Sequence, residues 1–126
     1  MIHPKTEVTT ISSHDFEQAR IKHVLFKSKL RALLFGASID PEPVLSNNAC
    51  SLGQWIKQVA FPQLGDSPDM HRLDQLHDQL HDTARHLYQL YQNGKQEQAQ
   101  EGLAQVDALA DAFLHLLTDI EKKALL

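Results

Sequence analysis

The sequence has little of what marks secreted, membrane-bound or nucleic-acid-binding proteins. Its only cysteine, Cys50, excludes a disulfide within the chain and is typical of a reducing compartment. No apolar run approaches the roughly 20 residues that span a bilayer, and the opening MIHPKTEVTT lacks the charged-then-apolar order of a secretory signal. Lysine and arginine are spread along a chain of net charge −4 and form no large basic cluster, which argues against binding to a phosphate backbone. We therefore predict a cytoplasmic protein that binds neither nucleic acid nor a membrane.

Strand-like alternation of apolar and polar residues is also missing, whereas helical periodicity is strong. Apolar residues recur at three- and four-residue intervals from about 13 to 35, from 68 to 92 and from about 103 to 120. Ser12 and Asp15 have the spacing of a capping box, which places the start of the first helix. These three segments predict three long helices.

The remaining segments predict a loop and a short helix. Residues 36–47 contain glycine and two prolines and are expected to form a loop, and a short helix carrying Cys50 is expected over about 49–60. Three long helices and one short helix predict an all-α four-helix bundle. A chain of 126 residues fits one domain, which we expect over 13–126, preceded by an N-terminal segment over 1–12.

The first predicted helix carries two apolar stripes. The main stripe contains Phe16 and Phe26 and is expected to face the core. The second stripe consists of Ile21, Leu25, Ala32 and Phe35. Such a stripe either lies deep inside a monomer or packs against a second chain, and we predict that it forms a homodimer interface.

Histidine is the one residue type in excess, with eight in the chain. His23 and His77 occupy core positions in the stripes of two different helices. His77 and His81 stand four residues apart, so on a helix their side chains lie about 6 Å apart and can bind one metal ion. The alternative is a core histidine hydrogen-bonded through both nitrogens for His77 and a partly exposed helix residue for His81. A shared metal ion is favoured because it satisfies buried ring nitrogens of His23 and His77, which lie on different helices, at the same time.

Cys50 lies in the segment ACSLGQWIKQ, within the first turn of the predicted short helix. The free amides and the dipole at a helix N-terminus stabilise a thiolate, which is the sulfur ligand that zinc prefers. Gly53 is expected to allow a close approach by a neighbouring helix, and Trp55 to anchor the segment in the core. The alternative is that Cys50 is a small buried apolar residue.

The order of these residues resembles the chemoreceptor zinc-binding (CZB) domain family. The family motif is His-x-x-aromatic, Cys-x-aliphatic-Gly-x-aromatic and His-x-x-x-His. In this chain the motif is matched by HVLF at 23–26, by CSLGQW at 50–55, and by His77 with His81. The resemblance extends over about residues 13–120.

The resemblance implies that His23, Cys50, His77 and His81 bind one Zn²⁺ ion inside a homodimeric helical bundle. A shell of three histidines and one cysteine leaves no open position for a substrate, so we expect a regulatory domain and not an enzyme. Domains of this family are attached to soluble chemoreceptors or to diguanylate cyclases, where they sense zinc or oxidants such as hypochlorous acid. The resemblance therefore implies a bacterial signalling partner in chemotaxis or in cyclic-di-GMP signalling.

Other helical proteins remain as alternatives. A di-iron bundle needs inward-facing glutamates, and the segment 68–92 contains none. A histidine phosphotransfer domain needs an exposed histidine, a role that His86 could fill. An interaction bundle without a metal is the third alternative. We expect His3, His14, His71, His86 and His115 to be ordinary surface residues.

Overall fold

The computed structural model describes residues 11–125, which form helices connected by turns and loops. Most of the predicted N-terminal segment, residues 1–10, lies outside the described residues. The helices are α1 (Ser13–Leu34), α2 (Glu42–Leu45), α3 (Ser51–Trp55), α4 (Phe61–Leu64), α5 (Pro68–Gln92), α6 (Gln96–Glu101) and α7 (Leu103–Ala124), with a π-helical turn at Ile56–Ala60 between α3 and α4. The predicted all-α bundle with three long helices, α1, α5 and α7, is confirmed. Within residues 11–125, no helix has the length and hydrophobicity needed to cross a membrane.

The long helices begin where their capping residues indicate. The Asp15 carboxylate accepts hydrogen bonds from the backbone N–H of Ser12 at 2.9 Å and from its hydroxyl at 3.2 Å, so the predicted capping box is formed. The Ser67 hydroxyl accepts from the backbone N–H of Met70 at 3.2 Å, and Pro68 occupies the first position of α5. Each cap satisfies donors that a helix start leaves free.

The segments between the long helices contain more helix than the sequence predicts. The expected loop 36–47 includes α2, whose first turn is capped by the Asp40 carboxylate accepting from the Glu42 N–H at 3.1 Å. The short helix continues to Leu64, because the π-helical turn carries the chain from α3 into α4 without a break. Cys50 is the N-cap of α3 and so lies one position before its first turn, not within that turn as predicted.

Ion pairs define how α1 packs against α7. Arg20 pairs with Glu121, and Lys27 pairs with Asp107 at 3.1 Å. As the residue number rises along α1, the residue number of the partner on α7 falls, so the two helices are antiparallel. The Arg20 guanidinium also donates to Thr118 at 3.5 Å.

The helix α5 is antiparallel to α7 and parallel to α1. Lys123 near the end of α7 pairs with Asp69 near the start of α5 at 2.8 Å. Phe26 of α1 contacts His81 of α5 with ring centroids 4.9 Å apart. The core between the three helices is filled by fully buried apolar side chains, among them Phe16, Leu30, Leu73, Leu80, Phe113 and Leu117.

The second stripe of α1 faces away from this core. Its large residues Ile21, Leu25 and Phe35 are 45% to 59% exposed, and Val24 beside them is exposed as well. The stripe is therefore surface in the single chain, and its proposed role in dimerisation stays a prediction.

Candidate metal centre

Three of the four predicted ligands lie together in the interior. The sulfur of Cys50 and one ring nitrogen each of His77 and His81 are within 4.8 Å of one another, and all three residues are buried. Cys50 comes from the N-cap of α3, whereas the histidines lie one turn apart on α5. The arrangement joins the short helical segment to the long central helix.

The two histidines of α5 face each other through their Nε2 atoms. The Nε2–Nε2 distance is 3.1 Å, and the ring planes are inclined by 74°. Two imidazole nitrogens bound to one tetrahedral zinc ion are separated by about 3.3 Å. The pair therefore already has nearly the spacing that a shared ion requires.

Both histidines are held in the neutral form that metals bind. Burial, with a smaller contribution from the neighbouring His81, lowers the pKa of His77 to about 3. Burial also lowers the pKa of His81, against an opposing effect of its hydrogen bond to Val44. A neutral imidazole keeps one lone pair available, so neither ring must lose a proton before binding a cation at neutral pH.

The backbone carbonyl of Val44 fixes which nitrogen of His81 faces the cluster. The distance from His81 Nδ1 to the Val44 oxygen is 2.6 Å. A carbonyl can only accept, so Nδ1 carries the proton and Nε2 presents its lone pair to His77 and Cys50. An outer acceptor of this kind orients most histidine ligands of protein metal sites.

Gly53 allows the short helix to approach α5 and the preceding loop. A Cβ atom at this position would lie 2.4 Å from the backbone oxygen of Asn47 and 2.8 Å from Cε1 of His77. Both distances are shorter than van der Waals contact, so any larger residue must displace the loop or the imidazole. The close approach predicted for Gly53 is confirmed.

Carboxylates surround the cluster on its solvent side. Asp74 and Asp78 place oxygens within 4.8 Å of a ring nitrogen of His77. Asp78 accepts a hydrogen bond from the side-chain amide of Asn47, and Asp82 pairs with Arg85. Asp78 and Asp82 are exposed, whereas Asp74 is partly buried.

The position of Asp74 beside His77 was not predicted from the sequence. It stands three residues before His77, and helical side chains lean toward the N-terminus, so this position could have been identified from the helix alone. Burial, followed by the nearby charge of Asp78, raises the pKa of Asp74. Its carboxylate is a candidate hydrogen-bond acceptor for a ring nitrogen of His77.

His23, the fourth predicted ligand, is buried but stands apart from the other three. Its ring is stacked on Phe113 of α7, with centroids 5.5 Å apart and planes inclined by 2°. Neither ring nitrogen has a hydrogen-bond partner, although His23 is only 1% exposed. Burial and the nearby charge of Lys27 lower the pKa of His23 to about 4. His23 is thus a neutral imidazole whose two nitrogens lack partners. It lies one turn before Phe26, and Phe26 contacts His81.

The donor set fits a zinc ion. Thiolate sulfur and neutral imidazole nitrogen are ligands that zinc prefers, and three such groups are clustered and shielded from water. The unsatisfied nitrogens of His23 offer a fourth donor of the same kind. The other described histidines, His14, His71, His86 and His115, are exposed, as predicted, and His3 lies outside the described residues.

The sequence model of the chemoreceptor zinc-binding domain family matches residues 23–88, just over half of the chain. The chain belongs to this family. The CZB match begins at His23 and also contains Cys50, His77 and His81. The helices α6 and α7, including Phe113, lie beyond it. No curated protein and no solved structure matches the chain.

Proposed function

We propose that the chain is a zinc-binding regulatory domain in which His23, Cys50, His77 and His81 hold one Zn²⁺ ion. The observation that carries the proposal is the buried cluster of Cys50, His77 and His81, whose donor atoms lie within 4.8 Å of one another. Membership of the CZB family supports zinc as the ion. The bound ion supplies a fixed crosslink between helices.

His23 completes the shell in this proposal. Two unsatisfied nitrogens in an apolar layer are unfavourable, and coordination by one of them removes part of that cost. The ring must leave its stack on Phe113 to do so. Zinc then joins α1 to a unit formed by α3 and α5, which already hold the other three ligands.

Four protein donors leave zinc without the open position that a catalytic site keeps. The proposed role is therefore regulatory. Cys50 supplies the only sulfur, and its oxidation to a sulfenic acid replaces a strong donor by a poor one. Loss of zinc after oxidation by hypochlorous acid, or in zinc-poor conditions, loosens the tie between α1 and α5.

In this proposal, a partner domain responds to the loosened contact between α1 and α5. The partner is a bacterial chemoreceptor or a diguanylate cyclase in the cytoplasm, where the thiol of Cys50 stays reduced. The exposed stripe of α1 that contains Ile21, Leu25 and Phe35 forms the interface of a homodimer. A change in the position of α1 is thereby passed to the second copy.

Metal analysis of protein purified without a histidine tag tests the zinc proposal. We expect about one zinc ion per chain, because three imidazoles and one thiolate fill a tetrahedral shell. Stoichiometric iron, or no metal after purification in chelator-free buffer, would contradict the proposal. A metal-free result would favour the helical interaction bundle instead.

A further inference from the structure

Residues 44–47, which we call the strap, lie along one face of α5 beside the metal centre. Three hydrogen bonds join the two segments. The His81 ring donates to the Val44 carbonyl at 2.6 Å, and the Arg85 guanidinium donates to the Leu45 carbonyl at 2.5 Å. The side-chain amide of Asn47 donates to the carboxylate of Asp78.

The three α5 partners form one helical row. Positions 78, 81 and 85 are separated by three and four residues, so they share a face of the helix. The central member, His81, is a proposed zinc ligand, and the outer two hold the strap on either side of it. The strap is therefore fixed by charged side chains that flank the ligand.

The position of the Val44 carbonyl matters because it sets the tautomer and the tilt of His81. The carbonyl belongs to the backbone, so its place depends on what holds the neighbouring peptide groups. Leu45 is the next residue, and its carbonyl accepts a charge-assisted hydrogen bond from Arg85. Movement of the Leu45 peptide displaces the Val44 carbonyl with it.

We propose that Arg85 is a positioning residue of the metal centre. By holding the Leu45 carbonyl, it keeps the Val44 carbonyl against Nδ1 of His81 and so directs Nε2 of His81 toward the metal. The inference rests on the proposed zinc-binding function. It assigns a contribution to metal affinity to an exposed side chain that is not itself a ligand.

Arg85 lies outside the core, so it can be replaced without changing core packing. Its side chain is 43% exposed, and its other contact is the ion pair with Asp82 one turn earlier on the same helix. Exposed pairs of this type contribute about 0–1 kcal/mol to stability. Replacement of Arg85 is therefore expected to leave the bundle folded.

The test compares the zinc affinity of Arg85 variants by competition with a chromogenic chelator. We expect Arg85→Ala to weaken zinc binding by roughly 3- to 10-fold, less than the 10–100-fold effect of removing a direct partner of a ligand. Arg85→Lys keeps a cationic donor and is expected to recover part of the affinity. His86→Ala is a matched control on the same helix, and it is expected to stay within about twofold of wild type.

A second measurement separates positioning from general loss of stability. In zinc-loaded protein labelled with ¹⁵N, the Nδ1 proton of His81 is expected to exchange slowly in wild type and faster in Arg85→Ala. Unchanged affinity in Arg85→Ala would overturn the inference, and so would reduced affinity with unchanged proton exchange. Failure of wild type to bind zinc would instead contradict the proposed function itself.

Discussion

His81 and His23 are both buried imidazoles packed against a phenylalanine, but their polar surroundings are opposite. Each nitrogen of His81 has a partner, the Val44 carbonyl on one side and His77 on the other. Neither nitrogen of His23 has one, and the ring lies flat on Phe113. In the proposed centre, His81 already lies beside the other donors, whereas His23 must move to join them.

The difference follows from where the donors sit in the chain. His77 and His81 are one turn apart on a single helix, so the backbone alone fixes their separation. Cys50 follows closely after the strap that α5 holds. His23 comes from another helix, and its ring orientation depends on side-chain packing between α1 and α7. The proposed zinc site thus has a preformed part and an adjustable part, and the changes below test this division.

Replacement of His77 or His81 by alanine is expected to have the largest effect on metal binding. Each change removes one donor of the preformed part and opens the tetrahedral shell. We expect zinc affinity to fall by more than about 100-fold, beyond the cost of losing an outer partner. His86→Ala is the matched control, since His86 is exposed on the same helix. Equal affinities for all three variants, measured by chelator competition, would refute the ligand assignment.

Replacement of Cys50 by serine is expected to weaken zinc binding by about tenfold or more, because a hydroxyl is a much poorer zinc donor than a thiolate. It also removes the group that an oxidant attacks. Graded hypochlorous acid should release zinc from wild type, and in Cys50→Ser the residual zinc should not respond. Zinc release is followed with a chromogenic chelator. If wild type retains zinc while mass spectrometry shows Cys50 to be oxidised, zinc has only a structural role.

His23→Leu is expected to have effects of opposite sign in the two states of the protein. With zinc, it removes the fourth donor and lowers affinity, though less than His77→Ala does. Without zinc, it removes two unsatisfied nitrogens and is expected to raise the free energy of unfolding by about 1–3 kcal/mol. Thermal unfolding in the presence of a chelator measures the second effect.

His81→Leu is the control for this comparison. It leaves the Val44 carbonyl without its donor, so the metal-free protein is expected to lose stability. A loss of metal-free stability in His23→Leu as large as that in His81→Leu would remove the distinction between the two sites.

The double change Ile21→Glu and Leu25→Glu is expected to have the smallest effect on the centre. Both residues lie on the exposed face of α1, whereas His23 faces inward. Light scattering should show a dimer for wild type and a monomer of 14.2 kDa for the variant, with the zinc content of each unchanged. A monomeric wild type at all accessible concentrations would contradict the proposed dimer, and loss of zinc from the variant would link the outer face of α1 to the metal centre.

The long helices could be predicted because their signals are local. The Ser12–Asp15 cap and the regular apolar stripes fixed the limits of α1 and α5 without reference to the rest of the chain. The pair His77 and His81 was predicted for the same reason, since the spacing on one helix determines the distance.

The remaining features depend on contacts between distant segments. The strap is held by residues of α5 more than 30 positions later, as the separation of Asn47 and Asp78 shows. His23 stacks on Phe113, which lies 90 residues further along the chain. No spacing rule connects such residues, and the place of His23 relative to the other donors could not be read from the motif.

Attachment of the strap to α5 has a consequence for how the centre recovers after it loses its metal. Arg85 and Asp78 bind the strap without any help from zinc, and Cys50 follows Asn47 by only three residues. The sulfur of Cys50 is therefore expected to remain at a high effective concentration beside the imidazoles of α5. Zinc is then expected to bind again to donors that are already close together, and no unbound loop has to find its place first. In the proposed redox switch, a thiol reductant that restores Cys50 is expected to let the domain bind zinc again without refolding.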